Sequence, residues 1–338
     1  MLNYNAVSVA IVLLNYNGLA LLKQYLPTLL LYSNGHNVIV VDNASTDGSV
    51  TYLQSYFPEV LCMVHDTNYG IAKGYNLALR QIKATYYLLL NNDVLVTEHW
   101  LSELLAIMEA DFSIAFCQPK ILSIIEPDRF DYAGAAGGFI DADGYPFCRG
   151  RIFNSIEKDR GQYDDTRAVF WASGACVLVR SKVFHDLGGF DELFFAHFEE
   201  IDMCWRAHLS GWKVYYCGTS KVYHLGGATI AYSSPRKTYL NFRNRALMLY
   251  KYQSNPILGT LKRLFLDVLA AFRMLYLGKF SHSWAICKAQ IDFFKFKKKC
   301  MVNRSVFRLP HIYKRSIVVY FFIKKNKLFS KISSAQFT

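Results

Sequence analysis

The 338-residue sequence has no Cys-x-x-Cys pair, although it contains eight cysteines. Their irregular spacing argues against a zinc site or a disulfide framework and favours reduced thiols in a cytosolic protein. No uncharged apolar stretch reaches the roughly 18 residues that an evident membrane-spanning helix needs. The start of the chain has a short apolar run without a preceding basic segment, which indicates a strand and not a signal peptide. Internal repeats and low-complexity linkers are also absent.

Acidic residues are scarce in the last part of the chain. From residue 245 to residue 338 there are 19 lysines and arginines against two acidic residues, whereas residues 1–244 carry 19 basic and 24 acidic side chains. This asymmetry predicts a polyanionic partner for the basic part, either a nucleic acid or an anionic lipid surface. The lack of a recognisable nucleic-acid-binding motif favours the lipid surface.

The basic part also has a helical pattern. Apolar residues from Ile257 to Tyr276 recur at spacings of three and four, which predicts an amphipathic helix with a wide apolar face. Lysines alternate with phenylalanines at residues 293–299, and a short apolar run follows at residues 316–323. Basic clusters mixed with aromatic residues are typical of an interfacial membrane anchor. The alternative is a helix that packs on the domain and keeps its basic face in solvent.

Three early segments are predicted to be buried strands. They are VSVAIVLL at residues 7–14, HNVIVVD at 36–42 and YYLLL at 86–90. Nearly continuous apolar runs indicate strands that are covered on both faces, as in a parallel sheet. Helical patterns at residues 19–32 and 74–83 lie between them. Alternating strands and helices predict an α/β protein with a doubly wound, mostly parallel sheet. The connections between its parallel strands are expected to be right-handed.

Each of these strands is followed by a cluster of amide and carboxylate side chains. The clusters contain Asn15 and Asn17 after the first strand, Asp42 and Asp47 at the second, and Asn91, Asn92 and Asp93 after the third. Ligands of open α/β sheets bind at the carboxyl ends of the strands. A ligand site there would explain all three clusters together, whereas turn formation and helix capping would explain any one of them alone.

Three polar features are candidates for chemistry. The oxygens of Asn91 and Asp93 suit Mg²⁺ or Mn²⁺ that is shared with a substrate diphosphate. His224 follows a predicted strand and is a further candidate ligand, although a single histidine is more often structural. Glu199, Glu200 and Asp202 lie at the start of a predicted helix at residues 198–209, where crowding raises carboxyl pKa values toward those of a general base. The alternative is a charged helix start that complements the helix dipole.

Four stretches together resemble one family. They are VAIVLLNYNG (9–18), VIVVDNASTDGS (38–49), NYGIAKGYNLAL (68–79) with LLLNNDVLV, and GGFDELFFAHFEEIDMCWRAHLSGWKV (188–214). In this order they resemble the family-2 inverting glycosyltransferases of the GT-A fold, especially the rhamnosyltransferase-like branch. The resemblance covers residues 7–250 and implies a GT-A catalytic domain over residues 1–250, followed by a basic amphipathic helical tail over residues 251–338.

The resemblance also implies roles for individual residues. Glu200 would be the general base, with Glu199 and Asp202 beside it. The residues implied to bind the nucleotide sugar are Asn15, Asn17, Asp42, Asn43, Asp47, Asn68, Lys73, Asn76 and Asn92. Asp93, His224 and Asn91 would hold Mg²⁺ or Mn²⁺. The sequence departs from the family's Asp-x-Asp metal motif at Asn91, which leaves Asp93 as the single strong anionic ligand at that strand end.

The implied reaction is transfer of a sugar, with rhamnose as the branch-level expectation, from a nucleoside diphosphate to a saccharide or lipid-linked saccharide. The expected location is the cytoplasmic face of the cell membrane, with the tail on anionic lipid and no nucleic-acid partner. Trp171, Trp205 and Trp212 are candidates for stacking on sugars, with core packing as the alternative. Two other classes stay open: a non-catalytic GT-A binding protein, and a nucleotidyltransferase, although the latter would carry a glycine-rich basic loop after the first strand.

Overall fold

The computed structural model describes residues 7–33, 35–227, 233–253, 255–302 and 309–338. The strands in these ranges are β1 Val9–Asn15, β2 Asn37–Asp42, β3 Leu61–Val64, β4 Tyr86–Asn91, β5 Val94–Val96, β6 Ile114–Ser123, β7 Gly138–Asp141, β8 Pro146–Cys148, β9 Arg151–Ile152, β10 Ser155–Ile156, β11 Thr166–Ala168, β12 Cys176–Arg180, β13 Lys213–His224 and β14 Ile312–Tyr313. The α-helices are α1 Leu19–Leu31, α2 Ser49–Tyr56, α3 Gly70–Leu79, α4 Trp100–Ala110, α5 Ser181–Asp186, α6 Glu199–Leu209, α7 Pro235–Tyr252, α8 Pro256–Tyr276 and α9 Phe280–Phe296. Short helical turns follow at Lys297–Lys299, Val319–Ile323, Phe329–Lys331 and Ser334–Gln336.

The larger sheet has the strand order β11-β13-β6-β12-β4-β1-β2-β3, and β5 pairs with β13 at one end of it. Strands β3, β2, β1 and β4 are parallel to one another, as the apolar runs predict. Strand β12 is antiparallel to both of its neighbours, β4 and β6. The sheet is therefore mixed, with a parallel half that contains the three predicted strands.

Helices cover both faces of the parallel half because successive strand residues point to opposite sides. In β1, Val9, Ile11 and Leu13 pack in the cluster that contains the buried residues of α1, α2 and α4. The alternate residues Ala10 and Val12 pack in the cluster that contains the buried residues of α3 and α6. The near absence of polar residues from these strands follows from this double coverage.

A smaller second sheet has the order β10-β9-β8-β7-β14. Its edge strand β14 comes from the last part of the chain and pairs in parallel with β7, with Ile312 opposite Ile140. The Asp141 carboxylate at the end of β7 accepts a hydrogen bond from the Ile317 backbone N–H at 2.8 Å. Residues 309–338 are therefore integral to the fold, with little regular helix, which corrects the expectation that the whole of residues 251–338 is a helical tail.

Helices α7, α8 and α9 pack against one another between the two sheets and the solvent. The sequence pattern from Ile257 to Tyr276 matches α8 within one residue. Large apolar side chains of α8 remain exposed, among them Ile257 (75% exposed), Phe265 (64%) and Phe272 (65%). In the described ranges, every helix falls short of the length or the apolarity that a membrane crossing requires.

Candidate active site

A cleft of about 760 Å³ runs from the carboxyl ends of β1, β2 and β4 to helix α8. This size falls within the range of cavities that enclose small-molecule ligands. Ten of the predicted site residues or their neighbours form its walls: Asn15, Asn43, Asn68, Asn91, Asn92, Asp93, Glu199, Glu200, Ser173 and His224. Residues that are remote in the sequence, such as Asp93, Glu200 and His224, therefore face one cavity.

The amides at the strand ends form a hydrogen-bonded chain across the sheet. Asn92 Nδ2 donates to Asn15 Oδ1 at 2.7 Å, and Asn15 Nδ2 donates to Asp42 Oδ2 at 2.9 Å. The other oxygen of Asp42 accepts from the Ser45 backbone N–H at 2.7 Å. The register makes this possible, because Asn15 lies opposite Asp42 on β2 and its neighbour Leu14 lies opposite Asn91 on β4. These buried polar groups satisfy one another, as a stable interior requires.

Gly18 leaves room for this chain. A Cβ atom at position 18 would overlap both Asn15 Oδ1 and Asn92 Nδ2, the two atoms of the shortest bond in the chain. The need for glycine here is thus steric and does not come from the backbone, since Gly18 has φ −112°.

Three of the predicted nucleotide-sugar residues make hydrogen bonds within the protein and do not line the cleft. Asp42 is fully buried, and both of its oxygens accept hydrogen bonds from within the protein. Asp47 accepts from the backbone N–H groups of Leu19 and Ser49 at the starts of α1 and α2. Asn17 accepts from the Thr46 N–H at 2.8 Å and does not line the cleft. These residues shape the cleft edge without facing it.

The segment with the sequence NYGIAKGYNLAL contributes less to the cleft than predicted. Asn68 lines it, and Asn43 Nδ2 donates to the Gly70 carbonyl oxygen at 3.0 Å to hold the start of α3. Asn76 is buried, with its amide bonded to both the carbonyl and the N–H of Phe190. The Lys73 ammonium lies 4.1 Å from the centre of the Tyr69 ring. Neither Asn76 nor Lys73 lines the cleft, and their closure over the diphosphate stays a prediction.

The third predicted cluster brings Asp93 and His224 together. His224 Nε2 lies 3.0 Å from Asp93 Oδ1, and Nδ1 donates to Asp131 Oδ1 at 2.9 Å. The side-chain amide of Asn91 lies 3.4 Å from Nε2. Burial lowers the pKa of His224, but the two carboxylates outweigh it and raise the pKa to about 10. Asp131, which the sequence analysis missed, fixes which nitrogen of His224 faces the cleft.

These donors fit a divalent metal ion that is shared with a ligand. Asp93 supplies a carboxylate, His224 an imidazole nitrogen, and Asn91 an amide oxygen once its side-chain amide is oriented accordingly. All three line the cleft, where phosphate oxygens could complete the coordination. Within the described part of the chain, no group of three or more His, Cys, Asp or Glu side chains is arranged to hold a metal by itself. The residues thus suit Mn²⁺ or Mg²⁺ bound together with a diphosphate.

The two glutamates at the start of α6 have different environments. Both line the cleft, and each has a buried Oε2 without a hydrogen-bond partner in the described residues. Burial raises the pKa of Glu200 to about 7. Burial and the neighbouring Glu200 raise the pKa of Glu199 well above its usual range. Of the two, Glu200 is therefore the carboxylate whose pKa lies closer to neutrality.

Asp202 does not line the cleft, so its role as a catalytic residue stays a prediction without support from its position. It is fully buried on the opposite side of α6. Its oxygens accept hydrogen bonds from Arg206 Nε at 2.9 Å, Lys251 Nζ at 2.6 Å and Tyr252 OH at 2.9 Å. The helical geometry separates Glu200 and Asp202 by about 200° around the axis, so the two carboxylates serve different partners. Asp202 attaches α6 to α7.

Several basic cleft residues were not found from the sequence. Arg151, Arg236, Lys237, Arg245 and Arg273 line the cleft but come from β9, α7 and α8. None of them stands in a local motif, although four of the five lie in or next to the basic part of the chain. They give the cleft a positive potential that suits phosphate groups.

The predicted tryptophans differ in position. Trp171 lines the cleft, and its indole N–H donates to the Phe139 carbonyl oxygen at 2.9 Å. Trp205 stacks on Tyr252 with ring centres 4.7 Å apart, and Trp212 packs against the core. Only Trp171 is positioned to contact a sugar, which leaves core packing for the other two.

The sheet, the cleft and the carboxylates at the strand ends define a GT-A-type nucleotide-sugar transferase fold. The sequence model for "Glycosyl transferase family 2" matches residues 9–188, more than half of the chain. The chain therefore belongs to glycosyl transferase family 2, in agreement with the resemblance that its motifs carry.

Curated relatives agree with this assignment. The chain is 26% identical over 211 residues to the N-acetylglucosaminyl-diphospho-decaprenol L-rhamnosyltransferase of Mycobacterium tuberculosis, a match that covers 56% of this chain and 66% of the relative, just under two thirds. It is 32% identical over 77 residues to the low-salt glycan biosynthesis hexosyltransferase Agl10 of Haloferax volcanii, which covers 22% of this chain and 25% of that relative.

Solved structures share the fold at low sequence identity. GalNAc-T7 with UDP, GalNAc and Mn²⁺ superposes with a TM-score of 0.59 at 15% identity, over 88% of this chain and 57% of that one. The S. aureus TarS 1-349 complex with UDP-GlcNAc gives 0.54 at 16% identity, over 88% and 84%. The mannosyltransferase PcManGT from Pyrobaculum calidifontis with GDP-Man and Mn²⁺ gives 0.52 at 13%, over 85% and 86%. The fold class predicted from the sequence is confirmed.

Proposed function

We propose that this chain transfers a sugar, with rhamnose as the first candidate, from a nucleoside diphosphate to a lipid-linked saccharide, with inversion at the anomeric carbon. The observation that carries the proposal is the common cleft of Asp93, Glu200 and His224. Family membership and the rhamnosyltransferase relative support the same activity. Synthesis of a surface polysaccharide is the process that this activity would serve.

Glu200 is the general base of the proposed reaction. A carboxylate with a pKa of about 7 is ionised in a useful fraction at neutral pH and still accepts a proton effectively. It removes the proton from the acceptor hydroxyl as that oxygen attacks the anomeric carbon of the donor. Attack from the face opposite the diphosphate inverts the configuration. Glu199, whose pKa is raised further by burial and by Glu200, favours the protonated form and so limits the negative charge beside Glu200.

The donor diphosphate belongs at the strand ends. Asp93, His224 and Asn91 would hold Mg²⁺ or Mn²⁺ there, and such an ion offsets the negative charge of a departing diphosphate. Arg151 and Lys237 bring further positive charge to this part of the cleft. Asn68 offers an amide group for the nucleoside, and Asn15 and Asn43 line the cleft beside it. Because a diphosphate leaves without protonation, the site requires one base and no general acid.

The lipid-linked acceptor agrees with the surface of α8 and α9. Leu258 and Leu261 of α8 and Trp284 of α9 are each at least 60% exposed, together with the residues already described. Lysines flank them at positions 262, 279, 288 and 295. Exposed apolar and aromatic side chains with flanking lysines suit the interface of an anionic membrane. We therefore propose a peripheral position at the cytoplasmic face of the cell membrane.

A donor screen tests the proposed activity. Purified full-length protein is incubated with nucleoside diphosphate sugars and Mn²⁺ or Mg²⁺, and the release of nucleoside diphosphate is measured. We expect release with one donor class, loss of release in Glu200→Gln, and inverted anomeric configuration in the product by NMR. A protein that binds donors without Glu200-dependent release would be a binding protein and would refute the proposal.

Vesicle sedimentation tests the membrane position. We expect the full chain to sediment with phosphatidylglycerol vesicles, and the double variant Phe265→Ser/Phe272→Ser to bind at least roughly tenfold more weakly, because two exposed aromatic side chains are lost. The matched control is Tyr56→Ser, which removes an exposed aromatic residue of α2. Equal sedimentation of the double variant and the control would contradict the membrane position.

A further inference from the structure

The far end of the cleft, beyond Glu200, is formed by different residues from the donor end. Apolar side chains of α8 and of the segment that follows β14 line it: Leu266, Leu269, Ala270, Met274, Val318 and Phe322. Residues 266, 269, 270 and 274 recur at three and four positions, so a single stripe of α8 faces this space. Amides and carboxylates, which dominate the donor end, are missing from these six residues.

This end of the cleft is continuous with the exposed apolar surface of α8. Leu269 and Phe322 both line the cleft and are 49% and 44% exposed, so they form its mouth. Phe265 and Phe272, which we propose to contact the membrane, are neighbours of this stripe on the same helix. An apolar chain could therefore pass from a membrane into the cleft along a continuous row of apolar side chains.

A buried group of charged side chains lies against the same space. Arg245 on α7 and Arg263 on α8 both pair with the Asp267 carboxylate, and Gln290 is the neutral fourth member of this group. All three charged side chains are at least 96% buried. Two guanidinium groups share the Asp267 carboxylate, and Asp141 is a second acidic group that acts on Arg245, so the group is held together by buried charge pairing.

Arg245 is the member of this group that lines the cleft. Its Nη1 atom is buried and has no hydrogen-bond partner in the described residues. Its guanidinium group lies 3.8 Å from the centre of the Tyr145 ring. At the mouth, exposed Arg273 lies 5.3 Å from the Phe322 ring centre. Two guanidinium groups thus accompany the apolar stripe, one deep and one at the surface.

We infer that the far end of the cleft is a subsite for the phosphate and the first isoprenoid or alkyl units of a lipid-linked acceptor. This inference rests on the proposed function, because it identifies how the acceptor of that reaction is held. Arg245 and Arg273 bind the phosphate oxygens, and the α8 stripe with Phe322 packs on the hydrocarbon. The acceptor sugar then extends from the phosphate toward Glu200, and the lipid extends toward the membrane.

The combination of a guanidinium group and an apolar surface favours a lipid-linked phosphate over a free saccharide or a free phosphate. A free saccharide would leave the apolar stripe in water and would offer no charged partner to the Nη1 atom of Arg245. A free phosphate would gain the charge but leave the stripe empty. A hydrocarbon that is joined to a phosphate satisfies both.

Calorimetric binding of geranylgeranyl diphosphate to the full chain tests the subsite, with EDTA present so that the metal-dependent donor end does not contribute. We expect binding of this probe, and at least roughly tenfold weaker binding of geranylgeraniol and of inorganic diphosphate, since each lacks one half of the ligand. Binding that is equal for geranylgeraniol would overturn the inference. The inference would also be overturned if phosphatidylglycerol vesicles displaced the probe as effectively, per phosphate, as unlabelled geranylgeranyl diphosphate does. That result would indicate attraction to lipid in general and not a specific subsite.

Matched variants distinguish binding in the subsite from a general effect of surface charge or of surface apolarity. Arg273→Gln is expected to weaken binding roughly tenfold, while Lys288→Gln, which removes the same charge outside the cleft, leaves it unchanged. Leu269→Gln is expected to weaken it roughly fivefold relative to Leu261→Gln on the outer side of α8. These four residues are exposed, so folding is not at risk. Equal effects within each pair would refute the subsite.

The lipid subsite and the proposed transferase activity can fail separately, and the experiments distinguish the two failures. If the transferase activity fails, Glu200-dependent release of nucleoside diphosphate is absent while binding of the lipid probe persists. If the subsite fails, release remains dependent on Glu200 while the lipid probe does not bind or the matched variants behave alike. His224→Ala adds a further check, since it should abolish metal-dependent donor use and leave binding of the lipid probe in EDTA unchanged.

Discussion

Replacement of Glu200 by glutamine is predicted to raise stability and to abolish turnover. The folded protein holds the proton of this carboxyl to a higher pH than the unfolded chain does, because burial raises its pKa from 4.5 to about 7. This preference for the protonated form stabilises the fold fully at pH values below 4.5, the pKa of the carboxyl in the unfolded chain. The stabilisation is lost as the pH rises through about 7, the pKa in the folded protein. At pH 8 the wild-type protein therefore contains an unfavourable buried charge that glutamine lacks.

The size of the stability effect follows from the shift in pKa. One pKa unit corresponds to about 1.4 kcal/mol, so a shift of roughly 2.5 units sets an upper limit of about 3 kcal/mol at pH 8. Glu200 is partly exposed, and solvent screening reduces the limit to about 1–2 kcal/mol. We expect Glu200→Gln to melt a few degrees above the wild type at pH 8, and the difference to shrink to about a quarter near pH 5.

Turnover is expected to change in the opposite direction. Loss of a general base lowers the rate by roughly 10²–10⁴-fold. In the wild type, the ionised fraction of Glu200 rises from roughly a tenth at pH 6 to roughly nine-tenths at pH 8, so kcat/KM should rise about tenfold over this range. A glutamate with an ordinary pKa would be fully ionised throughout and would give a flat profile.

Thermal unfolding at pH 5 and pH 8, together with nucleoside diphosphate release, measures both effects on the same preparation. Glu98→Gln is the matched control, because Glu98 is exposed and should change neither quantity. A lower melting temperature for Glu200→Gln at pH 8 would refute the burial argument. A flat pH profile of wild-type kcat/KM would refute the assignment of Glu200 as the base.

Two further substitutions test the strand ends. Gly18→Ala should separate Asn15 from Asn92 and destabilise the protein by about 1–3 kcal/mol, with a raised KM for the donor; a wild-type melting temperature and KM would contradict the steric reason for glycine. Asp131→Asn should weaken Mn²⁺ binding in the presence of donor roughly 10–100-fold by releasing the imidazole of His224, measured by Mn²⁺ titration with electron paramagnetic resonance detection; unchanged affinity would show that Asp131 does not position the ligand.

The parallel half of the fold could be predicted from the sequence because its signal is local. Runs such as the one from Val9 to Leu14 are apolar on both faces only when helices cover both sides of a sheet. The convergence of the clusters followed from the same topology, since parallel neighbours end at one edge. Strand β12, which is antiparallel within the same sheet, has an equally apolar sequence, so strand direction was not readable there.

The sequence did not indicate which residues of each polar cluster line the cleft. Asn15 and Asn17 are two residues apart and chemically identical, yet only Asn15 lines the cleft. The difference arises because Asn17 has a positive φ of 48° and turns toward Thr46. Such a distinction depends on backbone conformation after the strand, which amide-rich sequences of this kind do not determine.

Cleft residues that come from distant segments were also invisible to motif analysis. Asp131 lies in a glycine- and aspartate-rich region, and its contact with His224 spans 93 positions of sequence. Arg245 lies within an ordinary helical stretch, directly before Ala246, Leu247 and Met248, which pack in the core. Their significance comes from which side chains face them in the folded chain, and a single sequence carries little information on such pairs.

The last 30 residues are where composition misled the sequence analysis, and they limit how the membrane position can be tested. Leu309, Tyr313, Ile317, Tyr320, Phe321, Phe329 and Ile332 are buried there. At roughly 1.5–3 kcal/mol each, these seven side chains contribute about 10–20 kcal/mol of burial, more than the whole stability of a typical domain.

Removal of residues 309–338 should therefore unfold the second sheet and cause aggregation, which circular dichroism and gel filtration would detect. A truncated protein that stays monomeric with an unchanged melting temperature would show that this segment is an accessory tail. Because aggregates also sediment, the membrane position has to be tested with point variants of α8 and not with truncations.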